Sequence, residues 1–175
     1  MTPLAQLWNG WRAQYLRSVG GVGIDRPSDG SSAFSSILAS GLDDLETNIV
    51  FRGRSTFAIM NLYPYSIGHV LVLPYREVAD LELLTPQETV EVWSTVTDAV
   101  RAIKAALQPG GVNVGLNLGQ PAGGSVPQHL HVHIVPRWNG DANFMTATAN
   151  TRLLPEALPA TAAKLRAAWP LASTT

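Results

Sequence analysis

The stretch Gln128-His129-Leu130-His131-Val132-His133-Ile134-Val135-Pro136 carries three histidines at alternate positions. Apolar residues stand between them, which is the period-two pattern of a β-strand with one apolar face. Because successive side chains of a strand point to opposite sides, the pattern predicts that the three imidazole rings line one face. The whole chain has only 4 histidines. Three of them on one strand therefore indicate a functional site.

The composition limits the kind of protein that can carry this site. A chain of 175 residues is long enough for one domain with a real core. A formal net charge of -1 argues against broad electrostatic capture of a polynucleotide or an anionic membrane, although a small phosphate ligand needs only local donors. The chain has no cysteine, and we find neither a signal-peptide pattern nor an apolar run near the ~20 residues of a membrane span. We therefore expect a cytoplasmic protein.

The remaining patterns predict an α+β fold with a mainly antiparallel, five-stranded sheet, one long helix, and N- and C-terminal helices. Strands are expected at 49–51, 57–62, 69–73, 112–118 and 129–135. The long helix is expected to begin at the capping box Thr85-Pro86-Gln87-Glu88 and to end at Pro109-Gly110-Gly111. We predict three segments: an N-terminal helix with a flexible linker over 1–33, a catalytic domain over 34–145, and a C-terminal helical extension over 146–175.

The row of histidines has three interpretations. A purely structural role is disfavoured, because packing several ionisable rings together is costly without a use. A zinc site is the second interpretation, although the flanking residues include no nearby Asp, Glu or Cys. The third is nucleophilic and acid–base chemistry on a phosphate. The preceding loop, Gly119-Gln120-Pro121-Ala122-Gly123-Gly124-Ser125, favours it, because glycines let backbone N–H groups approach an anion and the serine adds a hydroxyl donor.

The run His129–Val135 fits the His-φ-His-φ-His-φ-φ motif, where φ is apolar, and so resembles the histidine triad family of nucleotide hydrolases and transferases. Asn61 with Gly68-His69, and Asn117 before the glycine loop, match further positions of that family. The resemblance covers roughly residues 34–138. The segments Asn117–Gly119, Gly123–Ser125 and Pro136–Phe144 look most like bacterial diadenosine tetraphosphate phosphorylases of the fragile histidine triad branch.

The resemblance implies a role for each matching residue. His131 would attack the α-phosphorus of a nucleotide and form a nucleotidyl-histidine intermediate, while its other ring nitrogen donates to a backbone carbonyl, that of His129. His129 and His133 would hold the leaving and non-bridging oxygens, and His69 would orient the row. The remaining residues would contact the substrate: Asn117, Gly123, Gly124 and Ser125 the phosphates, Trp138 the distal part of a long polyphosphate, Asn61 the ribose, and Phe34, Ile37, Ile59 and Leu62 the base, unless these last four are plain core.

The activity implied is nucleotidyl transfer through His131 with phosphate as the acceptor, so that diadenosine tetraphosphate gives ATP and ADP. One alternative is a hydrolase of dinucleoside polyphosphates or adenosine phosphoramidates, in which water resolves the same intermediate. A further alternative is a nucleotide- or metal-binding module without turnover. The expected partners are the nucleotide, phosphate and further copies of the chain, in a homodimer or homotetramer paired through the long helix and an edge strand.

Two departures from the family pattern bear on metal and acceptor. Many relatives carry Cys-x-x-Cys, part of a structural zinc site, where this chain has Ser32-Ala33-Phe34-Ser35. We therefore expect no metal site in the protein, a looser linker before the first strand, and at most a divalent cation such as magnesium arriving with the substrate. Gly124 stands where hydrolase members usually have glutamine, which puts plain hydrolysis in doubt and leaves space for phosphate.

Overall fold

The computed structural model describes residues 30–141 and 156–170. Five strands form one antiparallel sheet in the order β1-β2-β3-β5-β4. The strands are β1 Ile49–Arg52, β2 Thr56–Met60, β3 Val70–Pro74, β4 Gly111–Leu116 and β5 Val132–Arg137. The predicted α+β fold with an antiparallel five-stranded sheet is confirmed. The predicted N-terminal helix and most of the predicted linker lie outside the described residues.

Within the described residues, four α-helices accompany the sheet: α1 Ala33–Ala39, α2 Asp44–Thr47, α3 Pro86–Leu107 and α4 Leu158–Ala168. The capping box predicted for the long helix α3 is present. The Thr85 hydroxyl oxygen accepts from the backbone N–H of Glu88 at 3.2 Å, and the Glu88 carboxylate accepts from that of Thr85 at 2.8 Å. The helix ends where Gln108 adopts a left-handed conformation at φ 48°.

One face of the sheet packs against α3 and α4. Buried side chains from both helices, among them Val92, Ile103 and Leu165, close over the apolar residues of that face. Trp169, directly after α4, stacks on Phe51 of β1 with ring centroids 5.0 Å apart. The C-terminal helix, which the sequence suggests as an extension, therefore completes the main core.

The opposite face of the sheet carries the histidines. His133 is directly opposite Leu71 of β3, so both side chains lie on one face. Leu71 belongs to a second buried cluster, which α1 covers with three partly buried side chains; its members are Ile49, Phe57, Ile59, Leu71 and Leu73, packed by Phe34, Ile37, Leu38 and Tyr75. The sequence did not predict α1, the element that covers the histidine face.

The start of β5 also differs from the prediction. The strand begins at Val132, not at His129. The backbone N–H of His129 donates to Val126 at 3.3 Å and that of Leu130 to Val78 at 2.6 Å, so this segment is bonded to loops instead of the ladder. None of the helices in the described ranges is long and apolar enough to cross a bilayer.

Candidate active site

His131 is buried, with 6% of its surface exposed, just before β5. Its Nδ1 lies 2.8 Å from the carbonyl oxygen of His129, the partner that was predicted. Because a carbonyl can only accept, Nδ1 carries the proton and the lone pair of a neutral ring is on Nε2. Burial lowers the pKa of His131 and outweighs the opposing effect of this hydrogen bond. His131 is therefore a neutral imidazole with a fixed tautomer at pH 7, which suits a nucleophile.

His69 and His133 form a second, directly bonded pair. The backbone N–H of Tyr65 donates to Nδ1 of His69 at 3.0 Å, so the proton of a neutral His69 is on Nε2. That Nε2 lies 3.0 Å from Nδ1 of His133. The same reasoning then puts the proton of a neutral His133 on Nε2, 3.3 Å from Nδ2 of Asn117. Because Nδ2 only donates, the Asn117 amide must turn its oxygen toward the ring to accept that proton. His69, which is wholly buried, orients His133 directly, while the His131 and His133 rings meet edge-on at 4.9 Å.

His129 lies inside the protein, with hydrogen-bond partners on both ring nitrogens. The ring has 0% exposure. Its Nε2 lies 2.9 Å from the carbonyl oxygen of Pro74, and its Nδ1 lies 2.7 Å from the hydroxyl of Ser32. With both nitrogens engaged inside the protein, His129 holds no substrate oxygen in this arrangement. The alternation of histidines did not show this, because the partners of His129 lie 55 and 97 residues away in the chain.

The glycine-rich loop lies beside His131, because β4 runs antiparallel to β5 and Leu116 pairs with Val132. Its N–H groups are not as free as predicted. Gly123 donates to the carbonyl of Gln120 at 2.9 Å, and Gly124 donates to that of Gly119 at 3.3 Å. A Cβ on Gly124 would lie 3.1 Å from the same Gly119 oxygen, so a larger residue there would push the loop backbone outward by a few tenths of an ångström. Ser125, half-buried, remains the candidate donor of this loop.

Of the residues assigned to the base, three meet on the histidine face. Phe34 lies with its ring centroid 5.5 Å from that of His131. Ile37 and Ile59 join Phe34 in the apolar cluster under α1. Leu62 is 54% exposed and lies outside that cluster. Asn61 is half-buried, and its amide lies 3.3 Å from Nδ1 of His69 while it accepts from the N–H of Tyr63 at 3.0 Å.

Trp138 lies at the other end of the strand from His131. Seven positions separate the two residues, and at about 3.3 Å per extended residue their backbones are on the order of 20 Å apart. Within one chain Trp138 is therefore too far away to close over the reacting phosphorus. It follows β5 in a turn in which its N–H donates to Asp141 at 3.1 Å.

The structure adds residues that the sequence analysis missed. Tyr65 stacks on His133, with ring centroids 5.8 Å apart and 15° between the planes. Ser32, Ser35 and Glu77 form a polar cluster around Nδ1 of His129. Serine is a favoured N-cap residue, and this preference could have pointed to Ser32 as the start of a helix. Nothing in the sequence pattern pointed to Glu77 or Tyr65.

Comparison with known proteins decides the family. A match to the HIT domain covers residues 43–140. The chain belongs to the HIT domain family. A protein of Mycobacterium tuberculosis (strain ATCC 25618 / H37Rv) named AP-4-A phosphorylase is 44% identical over 166 residues, which are 95% of this chain and 85% of the relative. An asymmetrical bis(5'-nucleosyl)-tetraphosphatase of Schizosaccharomyces pombe is 37% identical over 95 residues, 54% of this chain and 52% of that protein.

Solved structures of the HIT family have the same fold. A zinc-bound histidine triad family protein from Mycobacterium smegmatis superposes with a TM-score of 0.62 and 28% identity, covering 79% of this chain and 92% of that one. A histidine triad nucleotide-binding protein from Sulfolobus tokodaii superposes with a TM-score of 0.63 and 28% identity, covering 77% and 89%. This chain therefore has the HIT fold, and its histidines lie on one face of that fold.

Zinc does not fit the residues that this HIT chain has before β1. The Ser32 hydroxyl is 2.7 Å from Nδ1 of His129, and its oxygen also accepts from the N–H of Ser35 at 3.0 Å. Serine hydroxyls are poor zinc ligands beside thiolates. Within residues 30–141 and 156–170, no three His, Asp or Glu side chains gather as a metal site. The linker that we expect to be looser without zinc lies mostly outside the described residues, and Ser32, which follows it, has 0% exposure and caps α1.

Proposed function

We propose that this protein transfers a nucleotidyl group from a dinucleoside polyphosphate to inorganic phosphate, converting diadenosine tetraphosphate and phosphate to ATP and ADP. The observation that carries the proposal is the state of His131: a buried, neutral ring with its lone pair on Nε2, beside a glycine-rich loop. The 44% identical relative named AP-4-A phosphorylase, which matches 95% of the chain, supports this substrate and this acceptor.

The reaction divides into two displacements at one phosphorus. Nε2 of His131 attacks the α-phosphorus of one adenosine, the bond to the bridging oxygen breaks, and ATP leaves. An oxygen of phosphate then attacks the same phosphorus, the P–N bond breaks, and ADP leaves. The proton of His131 stays on Nδ1, which donates to the carbonyl oxygen of His129 in both displacements. The ring centroids of His131 and His133 are 4.9 Å apart, and Nε2 of His133 contacts the Asn117 amide at 3.3 Å, so these two residues would border the phosphate oxygens.

Water and phosphate compete for the intermediate. Water at ~55 M outnumbers millimolar phosphate, so phosphorolysis requires a site that binds and orients phosphate. The N–H groups of Gly123 and Gly124 are engaged within their loop, which leaves Ser125 as the loop donor suited to this task. The backbone around Gly124 has no room for the glutamine of hydrolase members without a shift of the loop. Gly124 therefore does not open a space for phosphate, and Ser125 is the loop group that we propose binds it.

Product analysis tests the acceptor directly. The purified protein is incubated with diadenosine tetraphosphate in H₂¹⁸O, with and without phosphate. The nucleotide products are separated, and their masses are measured by mass spectrometry. We expect ATP and ADP without ¹⁸O, little AMP, and almost no turnover when phosphate is absent. Ser125→Ala should weaken the use of phosphate, whereas Ser94→Ala, an exposed serine on α3, should not. AMP carrying ¹⁸O, formed at an undiminished rate without phosphate, would make the protein a hydrolase like the tetraphosphatase relative.

We also propose that the chain forms a homodimer through the edge strand β4 and the helix α3. The middle of β4 is exposed, including Val114 at 43%. Val90 and Trp93 of α3 are exposed at 72% and 41%. Among the described strands, β4 lies at the edge of the sheet and pairs only with β5. Large apolar side chains on such an edge strand and on a long helix favour burial against a second copy. Sedimentation equilibrium of the purified chain measures the mass that decides this.

A further inference from the structure

A chain of hydrogen bonds connects Glu77 to the segment that holds His131. Glu77 is half-buried in the segment that follows β3. Its Oε2 accepts from the backbone N–H of Ser32 at 2.9 Å and from the hydroxyl of Ser35. The carboxylate thereby determines the direction of the Ser35 hydroxyl proton and holds the backbone at the start of α1.

The next link joins Ser32 to the ring of His129. Nε2 of His129 faces the carbonyl oxygen of Pro74 at 2.9 Å and must carry the proton, because that oxygen only accepts. A neutral ring then offers a lone pair on Nδ1, which the Ser32 hydroxyl meets at 2.7 Å. The Ser32 hydroxyl thus donates its single proton to His129, while its oxygen accepts from the N–H of Ser35 at 3.0 Å.

The last link reaches the nucleophile through the backbone. The carbonyl oxygen of His129 accepts from Nδ1–H of His131 at 2.8 Å, and this bond keeps the lone pair of His131 on Nε2. The orientation of residue 129 therefore decides whether His131 has the reactive tautomer. Ser32 and His129, whose side chains are both wholly buried, connect Glu77 to this carbonyl.

We propose that Glu77 is a positioning residue for nucleotidyl transfer: acting through Ser35 and Ser32, it holds His129 so that the His129 carbonyl fixes the tautomer of His131. The inference rests on the proposed function only for the identity of His131 as the nucleophile. In this chain a hydrogen-bonded network that includes Ser32 and Ser35 stands at the position before β1 where many family members have cysteines. It also explains why His129, which the structure keeps from the substrate, belongs to the histidine row.

The chain contains a matched control for a merely structural role. Glu91 of α3 also binds a loop with its carboxylate, accepting from the N–H of Ser55 at 3.0 Å and from the Ser55 hydroxyl. It holds the β1–β2 turn and has no bond to any histidine. Removing either carboxylate should lower the thermal midpoint, but only Glu77 should affect the reactivity of His131.

The test compares Glu77→Ala, Glu77→Gln, Ser32→Ala and Glu91→Ala in the full chain. At a temperature well below every midpoint, we expect kcat for the consumption of diadenosine tetraphosphate to fall about 10- to 100-fold in Glu77→Ala and Ser32→Ala, with KM within about threefold. Glu77→Gln, which keeps an acceptor oxygen, should lose less. Glu91→Ala should keep kcat within about twofold of the unmodified protein.

A second measurement does not depend on turnover. Long-range ¹H–¹⁵N spectra of the ligand-free protein at pH 8 report the tautomer of each neutral histidine. We expect a single Nδ1–H form of His131 in the unmodified protein and in Glu91→Ala, and a mixture of both tautomers in Glu77→Ala and Ser32→Ala. An unmodified protein without activity would defeat the proposed function and leave this readout intact. An unchanged His131 tautomer in both variants, or kcat losses no larger than that of Glu91→Ala, would overturn the positioning role of Glu77.

Discussion

At the scale of single residues, His131 owes its chemistry to one hydrogen bond and to burial. The bond from Nδ1 to the His129 carbonyl selects the tautomer, and burial lowers the pKa so that the ring stays neutral. The surrounding rings are bonded to other groups: His129 to Ser32 and Pro74, and His133 to His69. In this arrangement His131 is the histidine whose Nε2 is left for covalent chemistry.

His131→Asn removes the proposed nucleophile and keeps the bond that positions it. The asparagine amide can still donate to the His129 carbonyl, so the fold and nucleotide binding should remain close to those of the unmodified protein. Turnover of diadenosine tetraphosphate should fall by several orders of magnitude, as in other enzymes that lose a covalent nucleophile. Calorimetric titration with a nonhydrolysable dinucleotide checks binding, and product formation checks turnover. Substantial residual activity would place the nucleophile elsewhere.

Residue roles were predictable only where local pattern determines them. Alternation along residues 129–133 put the three rings at one site, and the structure confirms that His131 donates to the backbone of His129 two positions away. The partners that define His129 and His133 come from Ser32 and His69, which are 97 and 64 residues distant. Spacing within a strand carries no information about such contacts. The substrate role of His129 therefore stays a prediction, and the long-range partners of its ring could not be read from the spacing.

At the scale of elements, α1 shows what tertiary packing adds. A helix of 7 residues is too short to be stable alone, and its sequence was interpreted as the end of a linker and the start of the domain. It forms because Ser32 caps it by accepting from the N–H of Ser35 and because Phe34 and Ile37 pack on the histidine face. By contrast, α3 has 22 residues, a capping box and a long apolar stripe, and its limits were predicted well.

The way α1 is held leads to a prediction about metal. Hydrogen bonds to Glu77 and His129 already satisfy the polar groups of Ser32 and Ser35, so zinc would have to break them to bind weak hydroxyl ligands. We expect elemental analysis of the purified protein to find far less than one zinc per chain. EDTA should leave the thermal midpoint unchanged. A stoichiometric zinc ion, or a midpoint that falls on chelation, would contradict this and restore the metal-site interpretation.

At the scale of the whole molecule, the two faces of the sheet have different roles. The face under α3 and α4 supplies most of the buried apolar surface, and the face under α1 carries the histidines. The strand pattern predicted the sheet, since each strand is a short apolar run between turns. The order β1-β2-β3-β5-β4 and the return of α4 to the main core depend on contacts between distant segments. Periodicity alone therefore left them open.

The stability of the molecule should depend on pH in two steps, one from two buried histidines and one from Glu88. Burial lowers the pKa values of His129 and His131 below the ordinary 6.5. Below about pH 6.5 the unfolded chain therefore binds more protons at these residues than the native protein does. Stability should therefore begin to decline there. Glu88, which accepts from Arg76, has its pKa lowered to about 2, and its contribution is present above the ordinary 4.5 and is lost as the pH falls toward 2.

Urea unfolding at pH 7.5, 5.5, 4.5 and 3 should show both steps, with little change above pH 7. In Glu88→Gln the free energy of unfolding should be lower by about 2 kcal/mol at pH 7.5, less than the full pKa shift implies because Arg76 is half exposed. The same variant should lose less stability between pH 4.5 and 3, because the carboxylate that titrates there is gone, yet keep the decline from pH 7.5 to 5.5. Equal stability at pH 7.5 and 5.5 in the unmodified protein would mean that the buried histidines take up protons in the native state as readily as in the unfolded chain.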